Sequence, residues 1–425
     1  MKLNDSLPVK IALMGTLALL MLIPLAMVQQ QIKERERTAA DSREEVAESW
    51  GRAQTLSGPV LQFSYDTKVT DEKGKSVMQP QTATVYPRNL NYDIELPIQT
   101  LHRSIYDIMV YGAEVVVTGD FVIPSLYGKT DLKEQTVSMG LSDLRGVDGN
   151  VTVTLGEAAY TFHSSSGSMG TRSAYDAHRD YKGLLSEPIH LGKALMDGKT
   201  TLPFRLSYRV KGSSSLMIRP YGETTEVKMH SNCPDPSFTG DFLPSEREVT
   251  DEGFTARWSV SEINRGNPDD TTFGVNLLQG VTQYQKTMRS AKYGILVILL
   301  VFLAGLAVEL LGKRKINIVQ YLVIGLSIVL FYVLVLSFSE FMRFPLAYAL
   351  AALMTVAALF GYFRGILRDR TAWLLTALVT LAFLISYVLL QMETYAFLAG
   401  TLLLFVLLTG IMYLTRNLTR QESQD

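Results

Sequence analysis

The chain has 425 residues, 47% of them apolar, with 40 Lys and Arg against 41 Asp and Glu. A formal net charge of -1 argues against a nucleic-acid partner, which requires a basic face. A lone cysteine, Cys233, excludes an internal disulfide and a cysteine-rich zinc site, so a large exported domain here must hold together by core burial alone.

Taken in order, Met1 to Lys10 is short and polar, and Ile11 to Val28 is an apolar run interrupted only by Pro24. A signal peptide has an apolar core of about 7–15 residues and a small-residue cleavage site. This run is longer and is followed by Gln29, Gln30 and Gln31, so residues 1–28 read as an uncleaved transmembrane anchor. Residues 29–50 are highly charged and lack Gly and Pro, as suits a helical stalk continuing the first span. Ile32, Val46 and Trp50 lie on a loose apolar stripe along it. The stalk is either solvated or packed through those three residues against the domain or a partner.

Gly58-Pro59 marks a break, and residues 51–287 then form a mostly β, sandwich-like domain. Phe204, Leu206, Tyr208 and Val210 alternate with Arg205, Ser207, Arg209 and Lys211, and Phe254, Ala256, Trp258 and Val260 repeat the pattern. Glu114 to Ile123, Val151 to Leu155 and Thr224 to His230 are further expected strands. Lys73-Gly74, Asp148-Gly149 and Asp251-Glu252-Gly253 are expected turns. Leu101 to Met109 is the best helix candidate in this region, and Thr161 to Arg179 reads as a surface loop.

From Gly294 the chain becomes lipid-soluble. Apolar runs at Gly294–Leu311, Ile318–Phe338, Leu346–Phe363, Ala372–Leu390 and Tyr395–Leu414 give a five-helix transmembrane bundle over residues 288–415, before a tail at 416–425. With the first anchor the expectation is an integral membrane protein of six spans. Lys and Arg collect in alternate loops: Lys313, Arg314 and Lys315, then Arg364, Arg368 and Arg370, then Arg416 and Arg420. By the positive-inside rule those loops and both termini are cytoplasmic, and residues about 29–293 lie outside.

Chemistry is harder to find. The sequence has no GxSxG, HExxH, Walker or GxGxxG motif, and its five histidines are scattered. No catalytic residue, cofactor site or metal ligand is assigned. Glu309, Glu340 and Glu393 sit near span ends, while mid-span polarity is confined to hydroxyls such as Ser327, Thr355, Thr376, Thr380 and Ser386, which disfavours a charge-coupled transporter.

Several segments together resemble the CreD family of inner-membrane proteins. They are WGRAQTLSGPVL (50–61), RSIYDIMVY (103–111), PDPSFTGDFLP (234–244), TQYQKTMRSAKYGIL (282–296) and the run from Asn317 to Glu340. Asn232-Cys233 departs from the tryptophan expected before the PSF motif. The resemblance implies a Gram-negative inner-membrane protein of the CreBC regulon, linked to cell envelope integrity and to tolerance of colicins and β-lactams. It supplies no catalytic residues. Tyr284, Gln285, Arg289, Lys292 and Tyr293, with Gln320, Tyr321, Ser339 and Glu340, match its pattern and are the candidate membrane-collar or interaction residues. The expected function is a non-enzymatic envelope factor that binds an unidentified periplasmic or membrane partner. The alternatives are a transporter or channel for a lipid, glycan or small molecule, and a wall- or lipid-modifying enzyme.

Overall fold

Two periodicities divide the chain, and the structure follows them. The computed structural model describes residues 7–70, 76–103, 106–123, 132–165, 183–191, 200–277, 283–312, 316–367 and 370–391, with scattered residues from 398 to 412. Two compact units result: one takes residues 1–40 and 281–425, the other Asp41–Gly280.

The helical unit starts with α1 (Leu7–Trp50), a continuous helix that carries Pro24 and ends in the other unit. The helix α2 (Glu262–Arg265) belongs to the β unit. The remaining helices are α3 (Gln283–Lys292), α4 (Gly294–Gly312), α5 (Ile318–Ser339), α6 (Phe344–Leu367) and α7 (Arg370–Gln391). Among the described residues four helices (α1, α5, α6 and α7) are long and apolar enough to cross a membrane, and a fifth span exists if α3 and α4, bent by 41°, count as one. The expected sixth run, Tyr395–Leu414, falls largely outside the described residues, as do Lys313 to Lys315, Arg368 and the tail. The hydroxyls of Ser327, Thr355, Thr376 and Thr380 each donate to the carbonyl four residues earlier, so these four are satisfied within their own helices. A polar atom in hydrocarbon has no water to turn to, and this is the cheapest remedy.

Among the described residues the β unit holds seventeen strands. The first group is β1 (Gln54–Thr70), β2 (Ser76–Val85), β3 (Asn89–Leu96), β4 (Ile98–Arg103), β5 (Tyr106–Val122) and β6 (Leu132–Leu141). Next come β7 (Val147–Leu155), β8 (Ala158–Thr161), β9 (His163–Ser165), β10 (Gly183–Pro188), β11 (Thr201–Ser213) and β12 (Ser215–Ile218). The last are β13 (Thr224–Ser231), β14 (Ser237–Gly240), β15 (Glu246–Thr250), β16 (Gly253–Ser261) and β17 (Phe273–Asn276). They build an eight-stranded sheet in the order β14-β17-β12-β1-β6-β10-β9, with β2 on β1. The nine-stranded sheet runs β15-β16-β13-β3-β5-β11-β7-β8, with β4 on β5. Inward residues of both sheets share one core: Leu61, Phe63 and Met139 from the first, Tyr92, Val115, Leu206 and Trp258 from the second. The alternations through Phe204 and through Phe254 are buried as their spacing predicts.

Four local expectations are corrected. Leu101–Met109 is not a helix: β4 and β5 pair through it with Leu101 opposite Ile108 and Arg103 opposite Tyr106, so sheet pairing overrides a short ambiguous pattern. The Gly58-Pro59 break lies inside β1, where the pairing with β6 shifts between Ser57 and Val60; a bulge admits a proline, and Gly58 takes φ 84°. Asp148-Gly149 is likewise within β7, beside a register shift, with Gly149 at φ 83°. The loop expected from Thr161 opens instead with β9, paired to β10 through His163 and Ser186; residues 166–179 of it lie outside the described residues. Lys73-Gly74 also lies outside them.

Candidate functional site

The collar residues divide between two polar ends of the helical unit. At one end α3 turns Thr287, Ser290 and Ala291 inward and leaves Gln285 and Lys292 exposed, with Tyr284, Arg289 and Tyr293 half-buried. Thr287 Oγ1 donates to Gln283 O (2.8 Å) and lies 3.4 Å from Ser339 Oγ, which itself donates to Leu336 O. With its amide nitrogen turned toward the end of α5, Gln283 donates to Ser339 O (2.6 Å) and Met342 O (3.0 Å). Carbonyls at a helix C-terminus lack intrahelical donors, and Gln283 supplies them. Glu340 ends α5 and faces Arg35 of α1 at 3.6 Å, while Gln29 Nε2 donates to Ala291 O (3.3 Å). Gln283, Thr287, Gln29 and Arg35 were not singled out in the sequence. Gln29 lies 262 residues from Ala291 and Thr287 lies 52 from Ser339, separations that leave no local signal.

Gln320 and Tyr321 belong to the opposite end and do not join Ser339 and Glu340. Eighteen residues of α5 separate Tyr321 from Ser339, about 27 Å of helix. Gln320 serves a capping box: Asn317 Oδ1 accepts from Val319 N (3.1 Å), and Gln320 Oε1 accepts from Asn317 N (2.9 Å). Tyr321 is fully buried, edge-on to Phe302 and against Gly305, where a Cβ would come within 2.8 Å of its ring. Its hydroxyl lies beside Glu309, whose carboxylate forms an ion pair with Lys10; Lys10 Nζ also donates to Ile316 O (2.7 Å). The two ion pairs, Lys10–Glu309 and Arg35–Glu340, are therefore set apart by the 25 residues of α1 between Lys10 and Arg35. That is about 37 Å of helix, a little more than a hydrocarbon core of about 30 Å.

Ile32 is fully buried in the helical core, and the stripe below it is carried by Ala39 and Ala47. Val46 is only half-buried: beyond Asp41 the smaller Ala47 takes the inward position expected for it. Trp50 closes the helix by donating Nε1 to Tyr111 O (3.0 Å), with Lys211 Nζ 5.4 Å from its ring centroid. Arg103 pairs with Glu45, and Arg145 Nη1 donates to Glu48 O (3.1 Å), so the last turns of α1 are clamped to the strands. Asp143 anchors the clamp. It accepts from Arg52 N (3.1 Å) and from Arg145 N, Nε and Nη2, while its carbonyl takes Gln54 Nε2 (2.8 Å).

Burial pulls the Asp143 carboxyl upward, but the Arg145 side-chain bond, the two backbone donors and the Arg145 charge outweigh it and hold the group below the usual carboxylate range. A folded pKa below the unfolded one, about 3.9, stabilises at higher pH and loses that stabilisation as pH falls through the folded value. Asp143→Asn is thus expected to cost about 1.5–3 kcal/mol at pH 7. In urea unfolding of the full chain in detergent, the gap from wild type should close below about pH 4. A gap that stays constant from pH 7 to pH 3 would contradict the charge-based role.

On its outer face the nine-stranded sheet forms an open groove of about 540 Å³. Alternation alone points these side chains outward: Asn91 and Asp93 from β3, Thr118 from β5, Arg205 from β11, Glu226 and Lys228 from β13, and Arg257 from β16. Register sets them in rows, with Arg205, Thr118, Asn91 and Glu226 in one and Asp93, Lys228 and Arg257 in the next. Ion pairs Arg209–Glu114 (2.6 Å), His230–Glu95 (2.9 Å) and Arg257–Glu246 (3.5 Å) surround it. Such a surface offers donors and acceptors of both signs, with Tyr92, Val116 and Val227 also in its lining. Among the described residues no group of three or more His, Cys, Asp or Glu is placed to hold a metal.

A set of apolar helices bounded by ion pairs and joined to a large β domain defines an integral membrane protein. Within that class the chain belongs to the CreD family: the family model described as "Inner membrane protein CreD" matches residues 6–420. The curated protein "Inner membrane protein CreD" of Escherichia coli (strain K12) is 29% identical, over 94% of this chain and 90% of the relative. Two crystal structures of an M1 zinc metallopeptidase from Deinococcus radiodurans superpose on 45% of this chain and 42% of theirs, at 9% identity and TM-scores of 0.22 and 0.21. Likeness at that level carries no argument about fold or activity.

Proposed function

We propose that this protein is a six-span envelope factor of the inner membrane that works by binding a periplasmic or membrane partner rather than by catalysis. Both termini are cytoplasmic and residues about 29–293 periplasmic, on the distribution of Lys and Arg among the loops. The observation that carries the binding role is the groove on the nine-stranded sheet, where Asp93, Arg205, Glu226 and Lys228 converge from three strands. Polar, mixed-charge surfaces of this kind give register and specificity in protein recognition more than raw affinity. Partner binding in turn supports the link to tolerance of envelope stress that the CreD resemblance implies. Transport draws less support, because the hydroxyls of Ser327, Thr355, Thr376 and Thr380 are spent on their own helices.

Site-specific photo-crosslinking in living cells tests this, with probes at Asp93, Glu226 and Lys228 and controls at Glu157 and Ile263. A discrete protein adduct from the groove probes alone is the expected result. Glycan or lipid adducts at the groove would shift the reading to transport or enzymology. Turnover of a substrate by the purified chain, abolished by one side-chain change, would overturn the non-catalytic role.

A further inference from the structure

The outward face of α3 is a stripe of positive charge. Lys286, Arg289 and Lys292 stand at i, i+3 and i+6, within an arc of about 120°. Thr287, Ser290 and Ala291 occupy the opposite arc and are buried, so packing fixes which way the cations point. The helix contains no acidic residue, and Lys286 and Lys292 are exposed without an ion pair among the described residues. Arg343, just beyond the Met342 carbonyl that Gln283 reaches, adds a third exposed cation at this end, beside the half-buried Arg289. The 41° bend at Tyr293 turns the stripe off the axis of the apolar α4, which is what a helix at the hydrocarbon boundary requires. Tyr284 and Tyr293, half-buried at its two ends, are the amphipathic rings favoured at headgroup depth.

We infer that the α3 stripe is a binding site for the phosphate headgroup of an anionic phospholipid. Charge complementarity selects the occupant: Lys286 and Lys292, which have no ion pair among the described residues, attract anionic headgroups at a bilayer boundary by about 1 kcal/mol each, about fivefold in affinity per cation. On the orientation proposed above these cations lie on the side where the topology rule disfavours them, and a headgroup partner accounts for their placement. The inference itself requires only that α3 sit at a boundary and holds for either orientation.

The test is native mass spectrometry of the full chain in detergent, titrated with phosphatidylglycerol and with phosphatidylcholine. Phosphatidylglycerol should bind selectively, Lys292→Gln should weaken it about fivefold, and Lys286→Gln with Lys292→Gln about 30-fold. Lys286→Arg with Lys292→Arg should retain binding, and Arg88→Gln with Arg247→Gln, a sheet variant that removes the same charge outside the groove, should leave it unchanged. Equal affinity for the two lipids, or an equal loss in the sheet variant, would overturn the site. Displacement of the lipid by millimolar inorganic phosphate would assign the stripe to a free anion instead and equally defeat the inference. Groove crosslinks are read independently, so failure here is distinguishable from failure of the binding role.

Discussion

Replacing Lys10 by methionine is expected to cost about 3–5 kcal/mol, because it leaves the Glu309 carboxylate buried without its counter-charge. The side chains of Lys10 and Glu309 are only 15% and 12% exposed, and the carboxylate is flanked by the buried Tyr321. A lone carboxylate at the edge of a bilayer must draw in water, take up a proton or pull the helix ends apart, and each route costs free energy. Lys10→Met with Glu309→Met removes both charges and should recover most of the loss, since well-packed apolar residues often replace a buried pair without penalty. Reversible unfolding in mixed micelles, run as a double-mutant cycle, gives the pairwise term. A single variant that loses less than about 1 kcal/mol would place Glu309 in water, as for an exposed ion pair.

This pair also shows where sequence reading stops. Glu309 is legible as a residue near a span end, and Lys10 as a charge before the first span, but 299 residues lie between them. Alternation makes strands such as β11 and β16 readable because one face is buried and the other is not. It fails at Gly58 and Gly149, where a bulge and a turn have the same residues, and at Leu101–Met109, where nine residues are too few to separate the two periods. The groove is hidden for a related reason. Arg205 and Lys228 are each visible as outward residues, yet their proximity depends on the strand order β16-β13-β3-β5-β11, which includes a parallel β3–β13 pair. The collar was legible as composition and not as geometry. Gln320 and Tyr321 share a helix with Ser339 and Glu340 but sit about 27 Å from them, as helical rise requires.

Trp258→Ala is the second large effect, expected to cost about 3–5 kcal/mol. Trp258 is 1% exposed and stands on β16 of the nine-stranded sheet, but its ring packs on the other sheet. Phe238 of β14 meets it edge-on at 5.7 Å and Phe273 of β17 at 5.8 Å, while its Nε1 donates to Phe242 O (3.3 Å). Truncation therefore opens a void between the sheets, at a point where neither backbone can close it without breaking its ladder. Trp258→Phe keeps most of the aromatic contact and should lose about 1–2 kcal/mol, from the missing bond and the smaller ring. Urea unfolding of the full chain in detergent, followed by far-ultraviolet circular dichroism, separates the two variants. Equal losses would mean that the indole hydrogen bond, and not packing, joins the sheets. Arg257 follows from the same placement: it precedes Trp258 on β16 and points into the groove, so loosening the tryptophan should also weaken any crosslink that depends on that wall.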